Sequence, residues 1–191
     1  MAKWVNDTYH IVEGKHRMLP RYNQWFDMKQ RCTSTRSKSV RPTYQSCAMH
    51  PNWESYDSYV SWAECQIGHL QVDFDGNLFQ LDKDLIGSGD YYGPDTCVFI
   101  PQEVNKFLTG SRGNSSNGCH LMKHGKWRVT VRNPFIGKNV HLGMFKSVTD
   151  AEAAHAMAKH RYALELAEKW KVYIDPRAYK ALLNRYVQTS Q

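Results

Sequence analysis

The run GKWRVTVRNPFIGKNVHLGMF, residues 125–145, alternates apolar and polar side chains on either side of a turn rich in Asn, Pro and Gly. Successive side chains of a strand point to opposite faces. Trp127, Val129 and Val131 therefore share one face, and Arg128, Thr130 and Arg132 share the other. CHLMKH upstream and VHLGMF downstream supply two further strands. The period then changes. Residues 147–170, SVTDAEAAHAMAKHRYALELAEKW, read as a helix, with Thr149 as the expected N-cap and Glu152 completing a capping box. Ala153, Ala154, Met157, Ala158, Tyr162 and Leu166 form an alanine-rich stripe that lets this helix lie close to a sheet. A three-stranded antiparallel sheet on one helix has a dry face and a wet face. The wet face is expected to carry Arg128, Thr130, Arg132 and His141, edged by Lys123, Lys126 and Lys138. Arginines on such a face can read guanine edges, and lysines can hold phosphates.

Upstream of this block, TGSRGNSSNG (residues 109–118) has the composition of a connector and divides the 191-residue chain into residues 1–108 and 119–191. In RYNQWFDMKQRC, Tyr22, Trp25, Met28 and Arg31–Cys32 recur at helical steps. TSTRSKSVRP, residues 33–42, is polar, basic and aperiodic, and reads as a mobile loop. NWESYDSYVSWAEC returns to helical spacing through Trp53, Tyr56, Tyr59/Val60 and Trp62/Ala63. At the other end, VYIDP reads as a short strand-like piece. Pro176 then opens a helix with Ala178, Leu182, Leu183 and Tyr186 on its apolar side.

A net charge of +7, combined with 13% aromatic residues, favours an anionic partner that also stacks, of which nucleic acid is the common case. No 18-residue apolar run is present, so no bilayer span is expected. MAKWVNDTYHIVEGKHRM lacks the apolar core of a signal peptide, and a cytoplasmic location is expected. The five cysteines are odd in number and scattered, which suits free thiols. Zinc held by Cys32, Cys47 and either His50 or Cys65 is conceivable, but the spacing fits no standard finger.

The remaining segment, LDKDLIGSGDYYGPDTCVFIPQEVN (residues 81–105), follows strand, glycine-rich loop, strand and helix, with Pro101 at the expected helix start. GKW, the strand ending VRNP, HLGMF and D-AEAA resemble the AP2 DNA-binding domain. YNQWFDMKQRC, PTYQSCAMHPNWESYDSYVSW and LDKD…YYGPDTCVFIPQEVN resemble a family of phage HNH-type (His-Me finger) proteins, many with a C-terminal AP2 domain. The resemblance implies an α+β chain. It would comprise a degenerate HNH ββα module with a helical N-terminal half, then an AP2-like three-stranded antiparallel sheet packed on a helix. It also implies binding to duplex DNA in the cytoplasm of an infected bacterium, and metal-dependent phosphodiester hydrolysis.

By position, Asp82, Lys83, Asp84 and Asn105 would carry or support that chemistry, with Mg²⁺ or Mn²⁺ on Asp82, Asp84 and Asp90. Three departures stand out. Lys83 takes the place of the base histidine, no histidine lies between His69 and His120, and Thr96 falls near the expected asparagine. A lysine acts as a base only when its pKa is lowered, and flanking aspartates push the other way. His141 stands where plant AP2 members usually have tryptophan. His69 is expected in an exposed loop. The alternative is an inactive HNH fold kept as a DNA-binding or protein-interaction module, its aromatic half docking a host or phage protein. The oligomeric state is left open.

Overall fold

The computed structural model describes residues 3–4, 9–12, 15–87, 89–109 and 118–186, with side chains from residue 19 onward. The chain divides into two compact units, Met1–Pro101 and Gln102–Gln191. Both mix helices with small sheets. Most of the expected connector, residues 110–117, lies outside the described residues.

The first unit begins with three strands that the sequence reading did not anticipate: β1 (Lys3–Trp4), β2 (Tyr9–Val12) and β3 (Lys15–Met18), antiparallel in that order. Their signal was YHIV and KHRM separated by Glu-Gly, a pair of short runs around a turn dipeptide. Helix α1 (Pro20–Thr33) starts on a proline, whose fixed φ suits the first turn, and buries Trp25, Met28 and Cys32. The segment read as a loop is ordered instead. It forms α2 (Thr35–Val40) and a 3-10 turn, Pro42–Tyr44. Ser34 caps α2 by accepting from the Ser37 N–H at 3.2 Å, so a hydroxyl sets this helix without any apolar period.

Strand β4 (Ala48–Met49) leads through a 3-10 turn to α3 (Tyr56–Ala63). Aromatic packing joins these parts. The Trp25 indole N–H donates to the Trp53 carbonyl at 2.8 Å. Trp53 meets Tyr59 edge-on at 5.4 Å and Trp62 at 4.5 Å, and Trp62 continues to Phe99 at 5.8 Å. Strand β5 (Gln80–Asp82) pairs antiparallel with β7 (Val98–Ile100), and β6 (Tyr91–Tyr92) pairs parallel with β4. All three β7 residues are buried.

The second unit contains α4 (Gln102–Leu108), β8 (Cys119–Leu121), β9 (Trp127–Arg132), β10 (Asn139–Phe145), α5 (Val148–Trp170) and α6 (Pro176–Asn184). Helix α4, grouped with residues 1–108 in the sequence reading, packs on α5. Glu103 accepts from Lys169 Nζ at 2.6 Å and from the Trp170 indole at 3.0 Å, while Lys159 Nζ donates to the Phe107 carbonyl. The sheet is antiparallel with β9 in the middle. Val129, Val131 and Cys119 are buried on its helix side, with Trp127, Leu142 and Phe145 packed against that core.

Helix α5 starts two residues earlier than the expected cap. Ser147, not Thr149, accepts from the Asp150 N–H at 3.1 Å. Its buried face runs through Ala151, Ala158, Tyr162, Leu166 and Trp170, while Met157 is 70% exposed, one position off the stripe expected for it. Burying each large side chain of this face contributes about 1.5–3 kcal/mol. VYIDP forms a turn rather than a strand, and Asp175 caps α6 by accepting from the Arg177 N–H at 2.7 Å.

Between His141 and Gly143 the β9–β10 register shifts by one residue. Gly143 has φ +142°, which an L side chain rarely adopts. The bulge lets Leu142 and Phe145 both reach the core while Met144 stays paired with Arg128 on the opposite face. At the entry to β8, Gly118 has φ +65°, and a Cβ there would sit 2.2 Å from the Thr130 carbonyl oxygen. Gly118→Ala is expected to destabilise the protein by about 2 kcal/mol or more, read as a lower urea midpoint at unchanged m-value.

Candidate nucleic-acid interface

The solvent face of the second-unit sheet is assembled by register. Arg128 pairs with His120 on one side and Met144 on the other, Thr130 pairs with His141, and Arg132 pairs with Asn139. His120, Met122, Arg128, Thr130, Asn139 and His141 line one shallow depression. Arg128, Arg132 and His141 are exposed and Thr130 is half-buried, while Lys123, Lys126 and Lys138 stand exposed in the flanking turns. The His141 ring is held by a 3.1 Å contact between Nδ1 and the Val129 carbonyl. No Asp or Glu occurs between Glu103 and Asp150. Among the described residues, Lys123, Lys126, Arg128, Arg132 and Lys138 form no ion pair, so their charge faces solvent unneutralised. His120, Met122 and Asn139 were not singled out from the sequence. The signal lay in strand register: His120 and Asn139 lie opposite Arg128 and Arg132, and Met122 falls two residues beyond His120, opposite Lys126.

The central loop of the first unit has a different character. Lys83 is only 5% exposed. Its ammonium donates to Asp84 Oδ1 at 2.7 Å and to the Gly89 carbonyl, and lies 5.4 Å from the centre of the Tyr92 ring. Burial alone would lower its pKa, but the hydrogen bond and charge of Asp84 outweigh burial and raise it. Lys83 is thus a held cation rather than a proton acceptor. Asp82, 6% exposed, turns Oδ1 back onto its own loop and accepts from the Asp84 N–H at 3.1 Å and the Leu85 N–H at 2.8 Å. Burial raises its pKa against those two bonds. Asp90 accepts from Ser46 Oγ at 2.9 Å. The Thr96 hydroxyl donates to the Tyr91 carbonyl at 2.8 Å and accepts from the Gly93 N–H at 3.0 Å, closing the turn before β7. Asn105 lies on α4 in the second unit, whereas Asp82, Lys83 and Asp84 belong to the first.

These donors do not fit a divalent cation. Such an ion needs several oxygens free to converge, but Asp82 caps a turn, Asp84 is paired, and an ammonium occupies the loop between them. Among the described residues no group of three His, Cys, Asp or Glu side chains is placed to hold a metal. The conceivable zinc set does not gather either. Cys32 and Cys47 are buried and hydrogen-bonded to each other, which lowers the Cys47 thiol to about 7 with help from the Lys83 and Arg31 charges. Cys65 is exposed and donates to the Ser61 carbonyl, and His50 Nδ1 accepts from the Asn52 N–H. His69 is half-buried against Phe99 at 5.2 Å, not in an exposed loop, and burial lowers its pKa. No helix among the described residues is long and apolar enough to cross a membrane.

No protein-family model, curated protein or solved structure matches the chain.

Two substitutions separate a turn cap from a catalytic carboxylate. Asp82→Asn keeps the accepting oxygen and removes a buried charge, so stability should hold within about 0.5 kcal/mol or rise, whereas Asp82→Ala should lose about 1–2 kcal/mol. Thermal melts at pH 7 read the difference. Lys83 gives a pH signature. Its folded pKa lies above the ordinary 10.5, so its contribution is full below that value and is lost as pH rises through the folded value. Lys83→Met should lower the melting temperature at pH 7 and remove that part of the alkaline destabilisation.

Proposed function

We propose that this chain is a duplex-DNA-binding protein that uses the open face of β8–β10 as its DNA-contacting surface. In this reading the second unit is an AP2-like reader and the first is a degenerate HNH-type module, the phage architecture the sequence resembles. The protein works in the cytoplasm of an infected bacterium. The observation that carries the proposal is the acid-free sheet face, on which Arg128 and Arg132 stand beside Thr130 and His141 with lysines at both rims. Arginine forks there are suited to guanine edges in a groove, and the rim lysines to phosphates. The hydroxyl and imidazole between the arginines supply short-range hydrogen bonds.

The Asp82–Lys83–Asp84 loop acts as a structural clasp. A protonated lysine cannot accept a proton from water, and Asp82 directs its oxygen to the backbone. Favouring binding over hydrolysis follows from those two features, without appeal to any absent ion.

Fluorescence anisotropy on a labelled duplex tests the reading. Affinity should fall steeply with salt, with a slope of about −0.9 in log–log form for each phosphate neutralised. Arg128→Ala with Arg132→Ala should weaken binding by about 1–3 kcal/mol for each arginine that reads a base, and Lys171→Ala with Lys180→Ala should change it little. Equal losses in the two double variants, or a flat salt response, would overturn the proposal. With Mg²⁺ or Mn²⁺, supercoiled DNA should stay intact. Nicking that disappears in Asp82→Ala/Asp84→Ala would return the loop to a catalytic role.

A further inference from the structure

The chain carries a second acid-free stretch, in the other unit. No Asp or Glu occurs between Asp27 and Glu54, where Lys29, Arg31, Arg36, Lys38 and Arg41 fall. Surfaces of folded proteins usually mix the two signs. Here the positive charge is segregated. Outside the two acid-free stretches, the 18 Asp and Glu outnumber the 12 remaining Lys and Arg, so the surplus of +7 comes entirely from those stretches.

The first-unit stretch divides into spent and unspent cations. Arg31 donates to the Tyr92 hydroxyl at 3.0 Å, and Lys29 donates to the Glu54 carbonyl while lying over Trp25. Those two hold the fold. Arg36, Lys38 and Arg41 form no ion pair among the described residues. Arg36 and Arg41 are exposed, and Lys38 is half-buried. Their backbone is fixed. Ser34 caps α2, the Ser39 hydroxyl donates to the Arg36 carbonyl at 2.9 Å, and the Arg41 N–H donates to the Ser37 carbonyl at 3.0 Å. The Arg41 guanidinium lies 5.9 Å from the centre of the Tyr44 ring, which Arg31 approaches at 5.7 Å. A short helix and the residue that ends it thus present three cations, Arg36 and Lys38 on α2 and Arg41 at its C-terminal cap, among serines and threonines and beside an aromatic ring. Lys, Arg and hydroxyl side chains are the groups that contact nucleic-acid backbones.

We propose that α2 and the turn after it, through Arg36, Lys38 and Arg41, form a second, sequence-independent contact to the DNA phosphate backbone. Naming duplex DNA as the ligand rests on the reading of the sheet face, but the site itself is read from first-unit residues alone. The contact contributes affinity without base preference. It gives the first unit a role that needs no hydrolysis.

The test uses the full chain in anisotropy titrations on one labelled duplex across a salt series. Arg36→Ala/Lys38→Ala/Arg41→Ala is compared with Arg128→Ala/Arg132→Ala, and thermal melts check folding. Three phosphate contacts predict a salt slope shallower by about 2–3 and an affinity loss of up to about 100-fold at 0.1 M salt. The fractional preference among duplexes of different sequence should not change. Should the triple variant melt early, Arg36→Gln and Arg41→Gln singly, both at exposed positions, should each flatten the slope by about one. An unchanged slope and affinity in folded variants, with binding lost in the sheet variant, would overturn the α2 contact and leave the sheet reading standing. Loss in the α2 variants with none in the sheet variant would support the contact and remove the sheet reading. Altered sequence preference in the α2 variants would overturn the assignment to backbone. No effect in either set overturns both.

Discussion

A three-stranded sheet can bury only one of its faces in a small unit, and the second unit is organised by that limit. Ala151 packs into the sheet core with Cys119 and Val129, and Ala158, Tyr162, Ala163, Leu166, Ala167 and Trp170 continue the buried face of α5 toward its end. The helix closes one face completely, so the other must remain in water. What occupies that other face is free of packing demands, and here it carries cations with no acidic residue near them in sequence. Function on such a surface costs the fold little, because the groups involved were never part of its core.

The first unit solves a different problem, since its sheets have only two or three strands each. Order comes from an aromatic chain running from Trp25 through Trp53 and Trp62 to Phe99, and from polar groups pinned inside loops. Lys83 belongs to the second kind. A buried ammonium is tolerable only with its donors satisfied, and Asp84, the Gly89 carbonyl and the Tyr92 ring satisfy it. That arrangement makes the Asp82–Lys83–Asp84 stretch a fastening within its own loop.

Residues that repeat at a fixed period were readable in advance. The alternation at 127–132, the apolar steps of α1 and the proline opening α6 all follow from geometry that any strand or helix imposes. Features set by one hydrogen bond were not. The α2 segment has no apolar stripe and is held by the Ser34 hydroxyl, while α5 begins at Ser147 because that hydroxyl, two residues before the expected one, meets the Asp150 N–H. Met157 sits about 100° around the helix from Ala158, enough to move it from core to solvent. The Asp82–Lys83–Asp84 spacing was visible, yet its meaning was not. An aspartate that caps a turn and one that holds a metal look alike in sequence. Only the direction of Oδ1 distinguishes them. On the sheet face, the central strand was legible by itself, and its neighbours His120 and Asn139 required the register.

The one-residue bulge at Leu142–Gly143 carries a consequence for how this surface can change over time. Upstream of it, β10 letters alternate in one phase, and downstream they alternate in the other. His141 and Met144 on the open face can therefore be exchanged without touching Leu142 or Phe145, which pack on the helix side. Loss of a single codon at position 143 would remove the bulge and leave plain alternation, with Leu142 opposite Val129 and Phe145 opposite Trp127 on the helix side and Met144 opposite Arg128 on the open face. Insertion of one residue between Gly143 and Phe145 would instead shift the downstream phase, so this strand tolerates the loss of its extra residue better than the gain of another.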